Sequence, residues 1–193
     1  MELIARQVAS RLQGTPAPVQ STSSSQKGIA VSLGRGVFPD VDSAVEAATR
    51  AFHELSEMKL ETRFKIIENI RKKMRQFGKE LAYLAHEETG LGRPEDKVLK
   101  NELVTEKTPG PEILAPKSFS GDHGLTLLER APFGVIGSIT PTTNPTSSII
   151  NNTISMVSAG NAVVFNVHPN AKNVCNYTVQ LINEAIQEAG GPA

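Results

Sequence analysis

The hydrophobic pattern is most regular between positions 131 and 169, where it predicts a strand, a polar loop, a helix and a second strand. Val135–Thr140 is a short apolar run with β-branched residues, which is typical of a strand buried on both faces. The sequence PTTNP follows, and Pro145 suits the first helical position because it has no N–H to lose there. Gly160 should end this helix. Its apolar face is predicted to contain Ile149, Ile150, Met156 and Val157.

A second apolar run, Ala162–Val167, completes a strand–helix–strand unit. Two strands joined by one helix should pair in parallel through a right-handed crossover. Sites in parallel sheets form beyond the carboxyl ends of the strands. Because the polar loops TPTTNP and NVHP follow these two ends, we expect them to lie at one edge of the sheet.

Helical periodicity dominates the preceding part of the chain. A helix is predicted from Val41, with a capping box formed by Ser43 and Glu46. Its apolar face contains Val45, Ala48, Phe52 and Leu55. Further helices are predicted at 60–77, 79–89 and 95–107, with Gly78 breaking the first from the second. The apolar stripe of helix 60–77 contains Phe64, Ile67, Ile70, Met74 and Phe77. The opposite face should be solvated, and it carries Lys65, Glu68, Lys72 and Arg75.

The helical periodicity of the hydrophobic residues ends at residues 119–130, where two short strand-like runs flank the turn signal Asp122-His123-Gly124. This pattern predicts a β-hairpin. An isolated hairpin is barely stable, so we expect it to pair with strands elsewhere. A final helix is predicted at 171–189, before the sequence GGP.

The first 14 residues form an amphipathic helix candidate, since Ile4, Val8 and Leu12 recur at a spacing of four. Residues 15–37 follow as a flexible linker, rich in Pro and Ser over its first half. An apolar helix on a tether is typical of a docking device. The alternative is a helix that packs on its own domain or frays.

Composition narrows the class of protein. Lys plus Arg is 20 and Asp plus Glu is 20, so no basic bias indicates nucleic acid. No apolar run approaches the roughly 18 residues of a spanning helix, and the N-terminus lacks a signal-peptide core. We therefore expect a cytoplasmic protein with neither a nucleic-acid nor a membrane partner.

Cys175 is the only cysteine, which excludes an intrachain disulfide and a cysteine-based zinc cluster. It shares helical spacing with Val179, Ile182 and Ile186, so we expect it to be a small core residue. His123 lies in the predicted turn and should be exposed. No metal site is predicted.

Several separated motifs resemble the aldehyde dehydrogenase superfamily. They are P-F-G-V-I-G-x-I-T-P-x-T-N-P from position 132, A-G-N-x-V-V-F from 159 and H-P-x-A-K from 168. EDK at 95–97, EKTPG at 106–110 and GDHGLTL at 121–127 resemble its CoA-acylating branch, the acetaldehyde and propionaldehyde dehydrogenases of bacterial microcompartments. The resemblance runs from about position 37 to the last residue.

The resemblance implies an α/β fold of the aldehyde dehydrogenase type. Residues 38–116 would form a helical scaffold, and 117–131 a hairpin belonging to the oligomerisation element. Residues 132–193 would form the first half of a Rossmann-like domain that binds NAD and CoA, with the rest of that domain missing. Residues 1–14 would be the encapsulation helix that binds a shell protein.

The resemblance also implies the chemistry. In the family a cysteine thiolate attacks the aldehyde, amide donors hold the oxyanion, hydride leaves to NAD, and CoA cleaves the thioester. The family's nucleophile lies downstream, in a domain that residues 1–193 do not include. By residue type the oxyanion donor is Asn144. Hydrolytic relatives read P-W-N-x-P, however, which aligns their asparagine with Thr143. The donor could therefore be Asn144, the Thr143 hydroxyl or a backbone N–H, and Asn144 could instead cap the following helix.

Hydrolytic relatives carry a ribose-binding lysine at the position of Asn166. A neutral asparagine there is consistent with a pocket shared in turn by NAD and CoA. The walls of that pocket would include Thr140, Pro141, Thr142, His168 and Pro169. His168 could equally be a loop histidine without a ligand. No G-x-G-x-x-G motif occurs.

Three functions are compatible with these residues. The first is the N-terminal part of a homo-oligomeric, NAD-dependent acylating dehydrogenase that acts on a short-chain aldehyde inside a microcompartment. The second is a cargo or interaction protein without catalysis. The third is a fragment of a hydrolytic aldehyde dehydrogenase, against which the missing tryptophan and lysine and the H-P-x-A-K motif count. Residues 1–193 alone should be inactive.

Overall fold

The computed structural model describes residues 33–193. The docking helix predicted at 1–14 lies outside the described residues, as does most of the linker predicted at 15–37. Within the described range, five α-helices and two pairs of strands follow one another along the chain.

The first helix, α1, spans Val41–Glu57. Its N-cap is Asp40, whose carboxylate accepts a hydrogen bond of 2.8 Å from the Ser43 backbone N–H. The capping box predicted at Ser43 was therefore wrong. The helix already begins at Val41, which places Ser43 within its first turn, and the Ser43 hydroxyl donates back to the Asp40 carbonyl.

The second helix, α2, is one continuous helix of 30 residues, Leu60–Thr89. The break predicted at Gly78 was wrong. An interior glycine costs only about 1 kcal/mol relative to alanine, and Met74 and Leu81 on either side bury in the same core. Gly78 itself is buried, and its carbonyl accepts a hydrogen bond of 2.9 Å from Asn101 Nδ2. A side contact from another helix thus supports the chain where local propensity is weakest.

The third helix, α3, spans Pro94–Lys107. Its polar residues face the interior of the protein, and its leucines face solvent. Its buried residues are Lys97, Asn101 and Thr105. Leu99 and Leu103 are 63% and 59% exposed. The inward face of α3 is therefore a source of hydrogen bonds for its neighbours, α2 and the fourth helix.

Strands β1, Lys117–Gly121, and β2, Gly124–Leu128, pair antiparallel around Asp122 and His123, which confirms the predicted hairpin. Every residue of both strands is exposed. Within residues 33–193 this hairpin packs mainly on itself.

Strand β3, Val135–Thr140, helix α4, Pro145–Ser158, and strand β4, Ala162–Val167, form the predicted unit. The two strands are parallel, with Val135 opposite Ala162 and Thr140 opposite Val167. Gly160 follows α4 with φ +83°, a conformation that favours glycine. A 3-10 turn, Pro169–Ala171, then leads into helix α5, Lys172–Glu188.

Burial of β3 on both faces, predicted from its apolar run, was wrong. Ser138 and Thr140 are buried on the face that α4 covers, where Asn152 Nδ2 donates to Ser138 Oγ at 3.0 Å. Ile139 points the other way and is 85% exposed. Helix α1 approaches that second face but leaves a groove of about 1050 Å³ beside it.

The core lies where α2, α4 and α5 meet. Its fully buried members include Ile66, Ile70, Leu81, Ile149, Ile154 and Val174. The charged face predicted for α2 is exposed, as expected. In the part of the chain that the structure describes, no helix combines the length and apolar character needed to cross a bilayer.

Candidate active site

The carboxyl ends of β3 and β4 lie side by side, because Thr140 is directly opposite Val167 in the parallel register. The loop 141–144 leaves one strand and the loop from His168 leaves the other. The sequence prediction that both polar loops share one edge is thereby confirmed. Ligands in open α/β sheets bind at such an edge.

Asn144 occupies the N-cap position of α4, but its side chain does not cap the helix. Instead its Oδ1 accepts a hydrogen bond of 2.6 Å from Lys100 Nζ. Its Nδ2 makes only a long contact of 3.5 Å with Thr143 Oγ1 among the described residues. The amide therefore has its oxygen engaged and its donor hydrogens available for a further acceptor.

Lys97 holds the same loop from α3. Its Nζ donates to the Thr143 carbonyl at 3.1 Å, and the residue is only 7% exposed. Burial, with a smaller contribution from the charge of Lys100, lowers the pKa of the Lys97 ammonium group. Thr143 thus has its carbonyl anchored while its hydroxyl stays at the exposed side of the loop.

Asn101 connects this loop to the scaffold. Its Oδ1 accepts from Thr146 Oγ1 at 2.9 Å, and its Nδ2 donates to the Gly78 carbonyl. The residue is 1% exposed, so both bonds form away from water. The first turn of α4, which carries Asn144, is therefore tied to α2 through α3.

The predicted pocket walls after β3 differ in exposure. Thr140 is 2% exposed, with its hydroxyl turned inward, whereas Pro141 is exposed. The Thr142 hydroxyl is buried without a hydrogen-bond partner in the described chain. The Thr140 hydroxyl instead faces the buried thiol of Cys175. A buried hydroxyl without a partner is costly, so an acceptor or donor from a bound ligand would stabilise the loop.

The predicted residues at the end of β4 lie in a different neighbourhood. Asn166 is exposed, and with Pro169 it borders the groove that also contacts Ile139 and Lys172. His168 is exposed, and its Nδ1 accepts from the Asn170 N–H at 3.1 Å. The sheet edge therefore separates two groups: the Thr143–Asn144 loop beside α3, and Asn166 with Pro169 beside the groove.

Cys175 is fully buried in α5, among the core residues, as the apolar stripe predicts. Burial, with the nearby negative charge of Glu88, raises the pKa of its thiol to about 12. The Glu88 carboxylate meanwhile accepts from the Asn173 and Val174 N–H groups and caps α5. A thiol that stays protonated and inaccessible cannot serve as a nucleophile.

Sequence reasoning missed Lys97, Lys100 and Asn101 as site residues. A signal was present, because positions 97, 101 and 105 recur at a spacing of four and are all polar, while Leu99 and Leu103 lie elsewhere on the helix. A helix with a polar stripe between apolar neighbours can direct that stripe inward when the facing element supplies partners.

Comparison with known proteins agrees with this architecture. A model of the aldehyde dehydrogenase family matches residues 14–193, and the chain belongs to this family. An acetaldehyde dehydrogenase (acetylating) from Bilophila wadsworthia is 51% identical over 158 residues, which are 82% of this chain and 32% of that protein. The chain spans about a third of the length of such curated relatives.

Solved structures that share the fold include two propionaldehyde dehydrogenases. A propionaldehyde dehydrogenase from the fucose utilisation microcompartment of Clostridium phytofermentans is 54% identical, with a TM-score of 0.79 over 81% of this chain and 36% of that chain. A propionaldehyde dehydrogenase from Rhodopseudomonas palustris, with bound CoA and an acylated cysteine, is 46% identical. Its TM-score is 0.80 over 83% of this chain and 37% of that chain.

Proposed function

We propose that this chain supplies half of the active site of a CoA-acylating aldehyde dehydrogenase, which converts a short-chain aldehyde, CoA and NAD into acyl-CoA and NADH. The observation that carries the proposal is the Asn144 amide, whose oxygen is held by Lys100 while its N–H donors stay available. Likeness to acetylating and propionaldehyde enzymes supports the acylating chemistry.

The role of Asn144 is to donate to the oxyanion that forms when a thiolate adds to the aldehyde carbonyl. The thiolate belongs to a cysteine outside residues 1–193, because Cys175 is buried and protonated. Thr143, whose side chain lies next to that amide, is the alternative donor. In either case the loop after β3 stabilises the developing negative charge, and the thiolate that attacks the aldehyde comes from another part of the protein.

The sheet edge fits a nicotinamide cofactor and CoA in turn. The Thr142 hydroxyl has no partner within the described chain, and the exposed Asn166 amide can bond a ribose hydroxyl. When bound, the nicotinamide accepts the hydride of the aldehyde. We take NAD rather than NADP as the cofactor, because a neutral amide such as that of Asn166 suits a free ribose 2′-hydroxyl. Pro141, His168 and Pro169 would complete the walls, whereas the Thr140 side chain, predicted as a further wall residue, is buried and turned inward.

The test uses the whole protein that contains this chain, with NADH formation measured from acetaldehyde or propionaldehyde plus CoA. We expect Asn144→Ala to lower kcat on the order of a hundredfold, the usual cost of one oxyanion donor. The preference for NAD is measured as the ratio of kcat/KM values for the two cofactors. A normal kcat in Asn144→Ala, with Thr143→Ala impaired, would move the role to Thr143. No CoA-dependent turnover in the unmutated protein would favour a non-catalytic cargo role.

We also propose that residues 1–14 bind a microcompartment shell protein and that the enzyme works inside such a compartment. The apolar stripe at Ile4, Val8 and Leu12 supports this, as does the microcompartment origin of a relative. Fusing residues 1–14 to a fluorescent protein should direct it into microcompartments in a host that builds them. The Ile4→Glu and Val8→Glu double variant should stay diffuse, and equal targeting of both fusions would contradict the proposal.

A further inference from the structure

The orientation of the Asn144 amide is decided by a lysine. Lys100 Nζ can only donate hydrogen bonds, so the atom at 2.6 Å from it must be the amide oxygen. The reversed amide would place an NH₂ group against an ammonium ion, which is repulsive. The charge on Lys100 therefore selects one of the two orientations that an asparagine can adopt, and in that orientation Nδ2 lies on the side away from Lys100.

Lys97 fixes the backbone of the same loop. Its ammonium group donates to the Thr143 carbonyl, one residue before Asn144. Neither Lys97 nor Lys100 pairs with a carboxylate within residues 33–193. Both positive charges are therefore directed at oxygen atoms of the loop, and hydrogen bonds from charged donors are stronger than neutral ones.

The two lysines are three residues apart on α3, so they project from the same face of one rigid helix. That helix is itself fixed to α2 and α4 through the buried Asn101. The loop is thus held by a helix that is itself anchored to the neighbouring helices. A preorganised donor loses no reorganisation energy when charge develops beside it.

We propose that Lys100 is the positioning residue for the Asn144 amide, and that Lys97 assists by fixing the adjacent carbonyl. This inference rests on the proposed role of Asn144 as the oxyanion donor. Lys100 acts in two ways: it holds Nδ2 toward the reacting carbonyl, and it polarises the amide through Oδ1, which strengthens the N–H groups as donors.

The test replaces Lys100 in the whole enzyme. Lys100→Met nearly keeps the length of the side chain and removes its charge. We expect kcat to fall roughly tenfold, which is a smaller loss than the one expected when Asn144→Ala removes the donor itself. The KM for the aldehyde should change little, since the interaction acts in the transition state. Lys100→Arg keeps a cationic donor and should retain most of the activity. Lys79→Met, at an exposed lysine of α2, is the matched control and should behave as the unmutated enzyme.

A double-mutant cycle separates positioning from a general structural effect. In an Asn144→Ala background the amide is gone, so Lys100→Met should cause no further loss of kcat. An unchanged kcat in Lys100→Met, or an equal loss with and without the Asn144 side chain, would overturn the inference. A normal kcat in Asn144→Ala alone would instead contradict the proposed role of Asn144 as the oxyanion donor, so the two failures are distinguishable.

Discussion

At the scale of single residues, the surroundings decide which chemistry a side chain can perform. Cysteine and asparagine both occur as catalytic residues, but Cys175 and Asn144 lie in opposite surroundings in this fold. Cys175 is fully buried, with its thiol pKa raised to about 12 by burial and by Glu88. Asn144 lies at the sheet edge with its donors available. The surroundings of Lys97 also determine its properties: burial lowers the pKa of its ammonium group, and that group donates to a backbone carbonyl.

The burial of Cys175 predicts that its thiol is chemically silent in the folded protein. At pH 8 its reaction with a thiol reagent should be slow in buffer and fast in denaturant, because the reactive thiolate is scarce and shielded until the chain unfolds. The measurement is the rate of release of a chromophoric thiol from an aromatic disulfide, on the 193-residue chain, which contains a single cysteine.

The Cys175→Ala chain is the control for this experiment and should release none of the chromophore. In the whole enzyme, Cys175→Ser should retain turnover. Fast labelling of the native chain would contradict the burial of the thiol, and loss of turnover in a folded Cys175→Ser enzyme would reopen its role as a nucleophile.

At the scale of elements, glycines have two different functions in this chain. Gly78 lies inside α2, where the helix continues and a Cβ would meet only Asn101 Cβ at 3.7 Å, an ordinary contact distance. Gly160 follows α4 with φ +83°, and a Cβ there would lie 2.9 Å from a nitrogen of Arg63. The first glycine is compatible with a side chain, whereas the second is required by the backbone.

This contrast predicts opposite effects of one substitution at two sites. Gly78→Ala should leave the free energy of unfolding unchanged or raise it by up to about 1 kcal/mol, because alanine favours the helix. Gly160→Ala should lower it by about 1–2 kcal/mol, because a left-handed backbone is costly for any residue with a Cβ. Denaturant unfolding of both variants measures the difference. Strong destabilisation by Gly78→Ala would mean that Asn101 cannot accommodate the methyl group.

At the scale of the whole molecule, the hairpin of β1 and β2 is the least supported part of the described fold. Both of its faces carry apolar groups. Leu125 and Leu127 lie on one face, at 72% and 60% exposure, and Phe119 lies on the other at 59%. A two-stranded hairpin is marginal by itself, and apolar side chains clustered on an exposed hairpin indicate a partner surface. We propose that this partner is a further copy of the protein in a homo-oligomer.

This proposal predicts that charge on the hairpin weakens assembly. Leu125→Glu with Leu127→Glu should convert the whole protein to a smaller species, because two carboxylates would have to be buried at the interface. Size-exclusion chromatography with light scattering measures the mass. His123→Glu, at the turn, is the matched control and should leave the mass unchanged. An unaltered mass in the double variant would exclude this face of the hairpin from the oligomer contact.

Local patterns in the sequence determined most of the secondary structure. The bounds of β3 and β4, the start of α4 at Pro145, its end before Gly160 and the hairpin turn at Asp122-His123 all depend on residues within about one helical turn or one strand pair. Side-chain periodicity and backbone preferences act over that same distance, so these features can be predicted from the sequence alone. Asn144 and Thr143 were identifiable in the same way, as polar residues that follow a strand, with their proposed roles supplied by family resemblance.

Only the tertiary structure decided the continuity of α2 through Gly78, the one-sided burial of β3 and the lysines that hold the candidate site. The hydrogen bond from Asn101 to Gly78 joins residues 23 positions apart, and the bond from Lys100 to Asn144 joins residues 44 apart. Each of these contacts exists because whole helices pack at a particular distance and rotation. No periodicity along one segment encodes the position of another, so the partner of the Asn144 oxygen became visible only when α3 was placed against α4.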